Sequence, residues 1–272
     1  MPEIKQISST DRDRINECIN LVKGNYLDNL VLLGDLYPPC NRLTRVTGIF
    51  DNKGELISFF TVFNGFQYPS IVLPHGLSER LFVPVLKYLK KEIPGFFTVV
   101  SFKLTEKDLS SFFVISEVSN EQCMLVTKND QVPLFKPPEL KKYQSENFEL
   151  VDTFYKSINQ YPWNPVQLES GFYHYIEIDG RMVAGGGMHL ETPRLVQLGN
   201  IYVLPDYRGR GLGRTLVSSI THEVLKQKEM ATLFVVRDNV AAISLYQKLG
   251  YRFYKPVKII ACHNPITGQN SL

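Results

Sequence analysis

The run VLPDYRGRGLGRTLV, residues 203–217, leaves the chain few choices of fold. Before it, VQLGNIYV reads as a strand. After it, Leu212, Leu216, Ile220 and Val224 recur every four residues, the apolar stripe of a helix packed on a sheet. Between them Gly209, Gly211 and Gly213 permit positive φ and close backbone approach, so that successive N–H groups can point at one anion. The helix N-terminus adds its partial positive charge. Arg208, Arg210 and Arg214 would supply charge-assisted bonds to a pyrophosphate. A P-loop would end in Gly-Lys-Ser/Thr, but Arg214 follows Gly213, and a glycine at every second position is not the dinucleotide G-x-G-x-x-G. A tight turn without a ligand is the alternative reading of this loop alone.

The surroundings favour a phosphorylated ligand over a nucleic acid. A net charge of +3 is too small for a basic surface spread over 272 residues. It is concentrated instead: residues 201–260 carry ten Lys and Arg against four Asp and Glu. Cys18, Cys40, Cys123 and Cys262 have no paired spacing, which points to buried thiols and to no metal site. The chain has no apolar run of about 18 residues and no basic-then-apolar N-terminus, so neither a membrane span nor a secretory signal is expected and a cytoplasmic location is.

Both halves show one order of elements. In the first, helical patterning at 13–22 and 27–36 precedes a hairpin, RVTGIF and ELISFFTVF around the turn DNKG. A short run at 70–73, a helix at 78–92 and strands at 97–101 and 122–127 follow. Pro133, Pro137 and Pro138 mark residues 130–143 as a linker, which divides the chain into domains 1–135 and 136–272. In the second half a helix at 146–159 and the irregular QYPWNPVQLESG lead to a hairpin, FYHYIEI and RMVAGGGMHLE, around the I′-type turn Asp179-Gly180. The glycine loop, its helix, the strand ATLFVV, another helix and two closing strands complete it. Helix, hairpin, strand, helix, strand in both halves suggests a tandem duplication.

Downstream, NVAAISLYQKLGY places Asp238 or Asn239 as a helix cap, Ala242, Leu245, Tyr246 and Leu249 on one face, and Gly250 at the C-terminal cap. The residues Arg208 to Gly213 match R/Q-x-x-G-x-G/A, and Asn239, Ala242, Tyr246, Gly250 and Tyr251 match N-x-x-A-x-x-x-Y-x-x-x-G-F/Y. With these two linked motifs the segment from about 147 to 261 resembles the GNAT superfamily of N-acyltransferases. The resemblance implies an α+β fold, a mixed and mostly antiparallel sheet flanked by helices, here as two tandem GNAT-like domains. It further implies acetyl-CoA as co-substrate, bound by Ile201, Tyr202, Val203, Arg208 to Arg214, Asn239, Ala242 and Tyr246, with no metal. In such proteins the tyrosine protonates the departing thiolate, the asparagine bonds the pantetheine arm and a strand N–H stabilises the oxyanion. The bland alternative for Tyr246 is a core aromatic with its hydroxyl at the edge.

LESGFY, the hairpin and MHLE resemble the FR47-like and glycine N-acyltransferase subgroup, which draws attention to Glu169 and His189 as candidates for the base. Glu191 and Asn200 are the other polar candidates. A turn cap and a satisfied strand histidine are the alternatives for Glu169 and His189. Tyr161, Trp163 and Pro165 suggest a substrate loop or, equally, a loop anchor. A small-molecule amine or amino acid is the expected acceptor, with a monomer or homodimer as the assembly. A protein N-terminal or lysine acetyltransferase and a non-catalytic acyl-CoA sensor are the alternatives. IVLPHGLSERLF, the matching place in the first half, has one glycine and no preceding arginine, which implies a degenerate domain.

Overall fold

In the computed structural model, which describes residues 2–135, 139–158 and 162–265, the chain divides into two units. One is Met1–Glu121 with Pro256–Leu272, the other Gln122–Lys255. The first runs β1 (Glu3–Ile7), α1 (Arg12–Val22), α2 (Leu30–Leu36), the hairpin β2 (Thr44–Phe50) and β3 (Leu56–Phe63), β4 (Ser70–Val72), α3 (Glu79–Glu92), β5 (Gly95–Ser101), α4 (Glu106–Ser110) and the start of β6 (Val114–Thr127). The second runs from the end of β6 through β7 (Leu140–Lys142), α5 (Phe148–Ser157), β8 (His174–Ile178), β9 (Arg181–Glu191), β10 (Leu195–Val203), α6 (Leu212–Gln227), β11 (Met230–Val236) and α7 (Val240–Lys248) into β12 (Arg252–Asn264).

Each unit builds its sheet in one way. In the first, β1 to β4 pair antiparallel in sequence order, β4 pairs parallel with β5, and Lys258–Asn264 of β12 add antiparallel to β5. In the second, β7 to β10 pair antiparallel, β10 pairs parallel with β11, and β6 flanks β11. The α+β architecture and its tandem repetition are as expected. The first core gathers Phe60, Val85, Leu89, Phe97 and Ile260; the second gathers Leu198, Leu216, Ile220, Val224 and Leu233. No helix among the described residues is long and apolar enough to cross a membrane.

Local signals hold where they are strongest. Asp179 and Gly180 both take positive φ, 51° and 74°, as a I′ turn requires. The helix expected over 27–36 begins as a 3-10 turn, Leu27–Asn29, and becomes α-helical only from Leu30. β1, α4, the first half of β6 and β7, which falls within the expected linker, are additions to the expected elements. The stretch 130–143 lies within the second unit, although Pro137, Pro138 and Tyr161 fall outside the described residues. Part of it, residues 132–135, is stitched along α6: Ser218 Oγ accepts from Phe135 N–H (3.2 Å), Ser219 Oγ donates to the Phe135 carbonyl (3.1 Å), and His222 Nε2 lies 2.6 Å from the Val132 carbonyl.

Candidate functional site

The second unit's sheet opens at one point. Parallel pairing of β10 with β11 runs from Leu195↔Met230 to Leu198↔Leu233 and stops, although both strands continue. On its other side β10 loses register with β9 between Gly199 and Tyr202, where Asn200 holds a left-handed φ of 55°. The bulge takes Asn200 and Ile201 out of the ladder with β9, which resumes at Tyr202↔Gly185 and Val203↔Ala184, while the other side of β10 has no β11 partner along the opening.

The glycine loop borders that opening. Gly209 and Gly211 have φ of 77° and 80°, and Gly211 caps α6 with no side chain bonded across its first turn. Thr215 is the first residue whose N–H bonds back along the helix, to the Gly211 carbonyl (3.0 Å), so the N–H groups ahead of it are left for an anion. A Cβ at Gly213 would lie 3.5 Å from Leu245 Cδ1 and 3.7 Å from Val203 Cγ2. The start of α6, the end of β10 and α7 therefore meet there.

The arginines are less available than their number suggests. Arg208 Nε donates to the Val203 carbonyl (3.0 Å) with its guanidinium 5.5 Å from the Tyr202 ring centre, and Arg210 donates to the Asp206 carbonyl (3.0 Å) above Tyr207. Arg214 lies 4.5 Å over Phe135, on the strap along α6. None of the three is in a salt bridge among the described residues, so each keeps its charge and further donors for an anion. Asn239 caps α7 by accepting from Ala242 N–H (3.1 Å). Tyr246 is 7% exposed, packed with Leu198 and Val235, and burial pushes its phenol up to about 12.

A polar network that the sequence reading did not single out centres on Gln167. It stands on a 3-10 helix, Pro165–Ser170, formed where an irregular loop was expected and capped by the Asn164 side chain. The Oε1 of Gln167 accepts from Asn200 Nδ2 (2.7 Å) and Asn164 N–H (3.3 Å); its Nε2 contacts His189 Nδ1 (3.1 Å) and the His189 carbonyl (3.5 Å). Two donors on Oε1 fix which end of the amide faces the imidazole, so Nδ1 is an acceptor and the neutral ring carries its proton on Nε2. Tyr155 donates to the Asn200 carbonyl (2.9 Å). The triple glycine on β9 makes room: a Cβ at Gly187 would meet Tyr173 at 2.2 Å, and one at Gly185 would meet the Tyr155 hydroxyl at 2.7 Å.

Burial pushes His189 down to about 4. Between pH 4 and the ordinary value near 6.5 the unfolded chain binds a proton there that the native chain does not. This group therefore makes stability rise with pH across that window and fall away on acidification. His189→Gln is expected to flatten the slope in thermal unfolding at pH 4.5, 5.5 and 7; an unchanged slope would show that His189 does not titrate this way. Glu169 lies exposed two residues beyond Gln167, and Glu191 pairs with Lys228 (2.7 Å). Trp163 stacks on Tyr155 (4.3 Å between ring centres, 21°) and donates to Asp152 (3.1 Å), so it anchors its loop.

Residues 136–251 match the family model described as the acetyltransferase (GNAT) family. An acetyltransferase of Sodalis glossinidius is 28% identical over 134 residues, 45% of this chain and 92% of its own. The mycothiol acetyltransferase of Tsukamurella paurometabola is 38% identical over 79 residues, which span 28% of this chain and 27% of that one. Among solved structures, a tandem GNAT protein from the clavulanic acid biosynthesis pathway aligns over 98% of this chain and 100% of its own, with a TM-score of 0.63 at 13% identity. A Drosophila protein aligns over 97% and 99% with a TM-score of 0.67, also at 13% identity. At such identities these structures establish the fold alone.

Proposed function

We propose, from the match of residues 136–251 to the model of the acetyltransferase (GNAT) family, that the second unit moves the acetyl group of acetyl-CoA to a primary amine of a small molecule or amino acid. The observation that carries this reading is the opening between β10 and β11 beyond Leu198–Leu233, bordered by the left-handed glycines that start α6 and by the helix that bears Tyr246.

The N–H groups of residues 209–214, at the positive end of α6, hold the pyrophosphate, with Arg208, Arg210 and Arg214 adding charge around it. Asn239 and Ala242 at the start of α7 flank the pantetheine arm. The amine attacks the thioester carbonyl, so a C–N bond forms as the C–S bond breaks. A backbone N–H along Ile201, Tyr202 and Val203, on the side of β10 where pairing with β11 has ended, stabilises the oxyanion. Tyr246 donates to the leaving sulfur. The acceptor's ammonium first gives a proton to water or to Glu169, the exposed carboxylate on the 3-10 helix, so that the neutral amine attacks, and the nitrogen sheds its second proton to water as the amide forms. His189 presents Nε2–H as a donor, which suits it to orienting the acceptor rather than to taking a proton.

Only the second unit has the glycine loop, so one acetyl-CoA is expected per chain. Calorimetric titration checks this, and a stoichiometry of two would overturn the assignment of the first unit as non-catalytic. A Cβ at Gly211, held at φ 80°, costs about 1–2 kcal/mol. Gly211→Ala should therefore weaken acetyl-CoA binding roughly tenfold, since 1.4 kcal/mol is a factor of ten; an unaltered Kd would remove the loop from the site. Thiol release against pooled primary amines, amino acids and peptides identifies the acceptor class. Tight acetyl-CoA binding with no release from any pool would replace transfer by sensing.

A further inference from the structure

The hydroxyl of Tyr155, on α5, donates to the Asn200 carbonyl (2.9 Å) at the bulge in β10. That carbonyl shares a peptide plane with the N–H of Ile201, and in a trans peptide the two point in opposite directions. Holding one therefore aims the other. Ile201 is paired neither with β9, whose ladder skips from Gly199 to Tyr202, nor with β11, whose ladder ends at Leu198. We propose that Tyr155 is a positioning residue for acetyl transfer: it sets the plane of the Asn200–Ile201 peptide so that the Ile201 N–H meets the thioester oxygen. The inference rests on the transfer reading of the second unit and adds to it a residue that touches no reactant.

The bulge needs such a hold. Asn200 has a φ of 55°, a left-handed conformation that a non-glycine residue keeps only where its surroundings enforce it. Gln167 engages the side chain, accepting from Nδ2 (2.7 Å), and does not touch the peptide that follows. Tyr155 fixes that peptide.

The hydroxyl is itself held in place. Its ring stacks on Trp163 (4.3 Å between centres, 21°), and Tyr173 meets it edge-on (6.0 Å, 86°). Trp163 is tied back to the same helix, since its Nε1 donates to Asp152, one turn before Tyr155 (3.1 Å). On β9 it is Gly185 that leaves the room, because a Cβ there would lie 2.7 Å from the hydroxyl oxygen. A hydroxyl on a ring braced on two sides cannot swing aside as the end of a flexible chain would. Burial raises the phenol well above its usual value near 10, so it stays a donor at every working pH.

Tyr155→Phe in the full chain removes the hydroxyl and keeps the stack. With acetyl-CoA and the acceptor that releases thiol, kcat should fall about tenfold or more while the Kd for acetyl-CoA stays within about a factor of two. Gly185→Ala keeps the hydroxyl but pushes it off the carbonyl, and should lower kcat likewise. The double variant should be no slower than Gly185→Ala alone, because phenylalanine leaves free the space that the new Cβ takes. In amide NMR, saturating acetyl-CoA should move the Ile201 proton downfield in the parent and much less in either variant. A parent that binds acetyl-CoA but releases no thiol sinks the transfer reading; an Ile201 shift that neither variant changes sinks the role of Tyr155 while leaving transfer standing. Parent-like kcat in Tyr155→Phe, losses that multiply in the double variant, or a kcat loss matched by weaker acetyl-CoA binding would overturn that role as well. Should Tyr155→Phe fail to fold, Gly185→Ala alone carries the kinetic and NMR comparisons.

Discussion

Tyr246→Phe is expected to lower kcat about a hundredfold or more while leaving the Kd for acetyl-CoA within a factor of two. General acid assistance is worth roughly 10²–10⁴ in rate, and in the proposed mechanism the lost hydroxyl acts only as the C–S bond breaks. Packing offers little compensation or penalty, because phenylalanine keeps the ring that lies 6.0 Å from Tyr251 and within the core of the second unit. With its phenol at about 12, Tyr246 stays protonated throughout the working pH range. On the proposed mechanism it therefore donates to the developing thiolate over that whole range. The pH–rate profile should show no basic limb from this residue below about pH 11. Turnover by Tyr246→Phe equal to that of the parent would make the tyrosine a packing residue only.

The parts of this site that were legible in the sequence are those written by local spacing. Positive φ at Gly209 and Gly211, the capping asparagine at 239 and the left-handed Gly250 (φ 91°) each follow from residues within a turn of one another. The tandem order was legible for the same reason, since hairpin turns and helical stripes are short-range patterns. Strand registers are not. Nothing near Asn200 in sequence requires it to leave the ladder; its conformation depends on Gln167 and Tyr155, 33 and 45 residues away. Gln167 itself sat within a stretch whose prolines suggested irregular chain, though Asn164-Pro165 followed by a glutamine at the third helical position is a capping signal that reveals the 3-10 helix. Nor does sequence show what else engages the three arginines beside the glycine loop, each of which also meets a carbonyl or an aromatic ring. For Trp163 the sequence leaves a substrate contact and a loop anchor equally open, and the anchor is decided by Tyr155 on α5 and by Tyr173 just before β8, both far from it in sequence.

Gln167 is where those long-range dependencies meet, and its two replacements should act differently. Gln167→Leu removes the acceptor shared by Asn200 Nδ2 and the Asn164 N–H and the donor that faces His189 Nδ1. At about 1–3 kcal/mol for each buried group left unsatisfied, a loss on the order of 3 kcal/mol of stability follows. With the Asn200 bulge released, the N–H groups along β10 that the proposed mechanism aims at the oxyanion shift, so kcat of the folded fraction should fall by about a hundredfold with acetyl-CoA affinity nearly intact. Gln167→Glu keeps the shape and still accepts from Asn200 and Asn164. Its other oxygen now faces Nδ1, which must carry a proton to answer it. The His189 pKa should then rise from about 4 to above the ordinary histidine value, an upward shift of two units or more that ring-proton NMR reads directly. The sign of the stability slope reverses with it. A histidine raised above its unfolded value binds more protons when native, so stability is full below about pH 6.5 and declines as pH climbs through the new pKa. Were Gln167 merely structural, Gln167→Leu would cost stability with kcat unchanged, and Gln167→Glu would leave the His189 titration where it is.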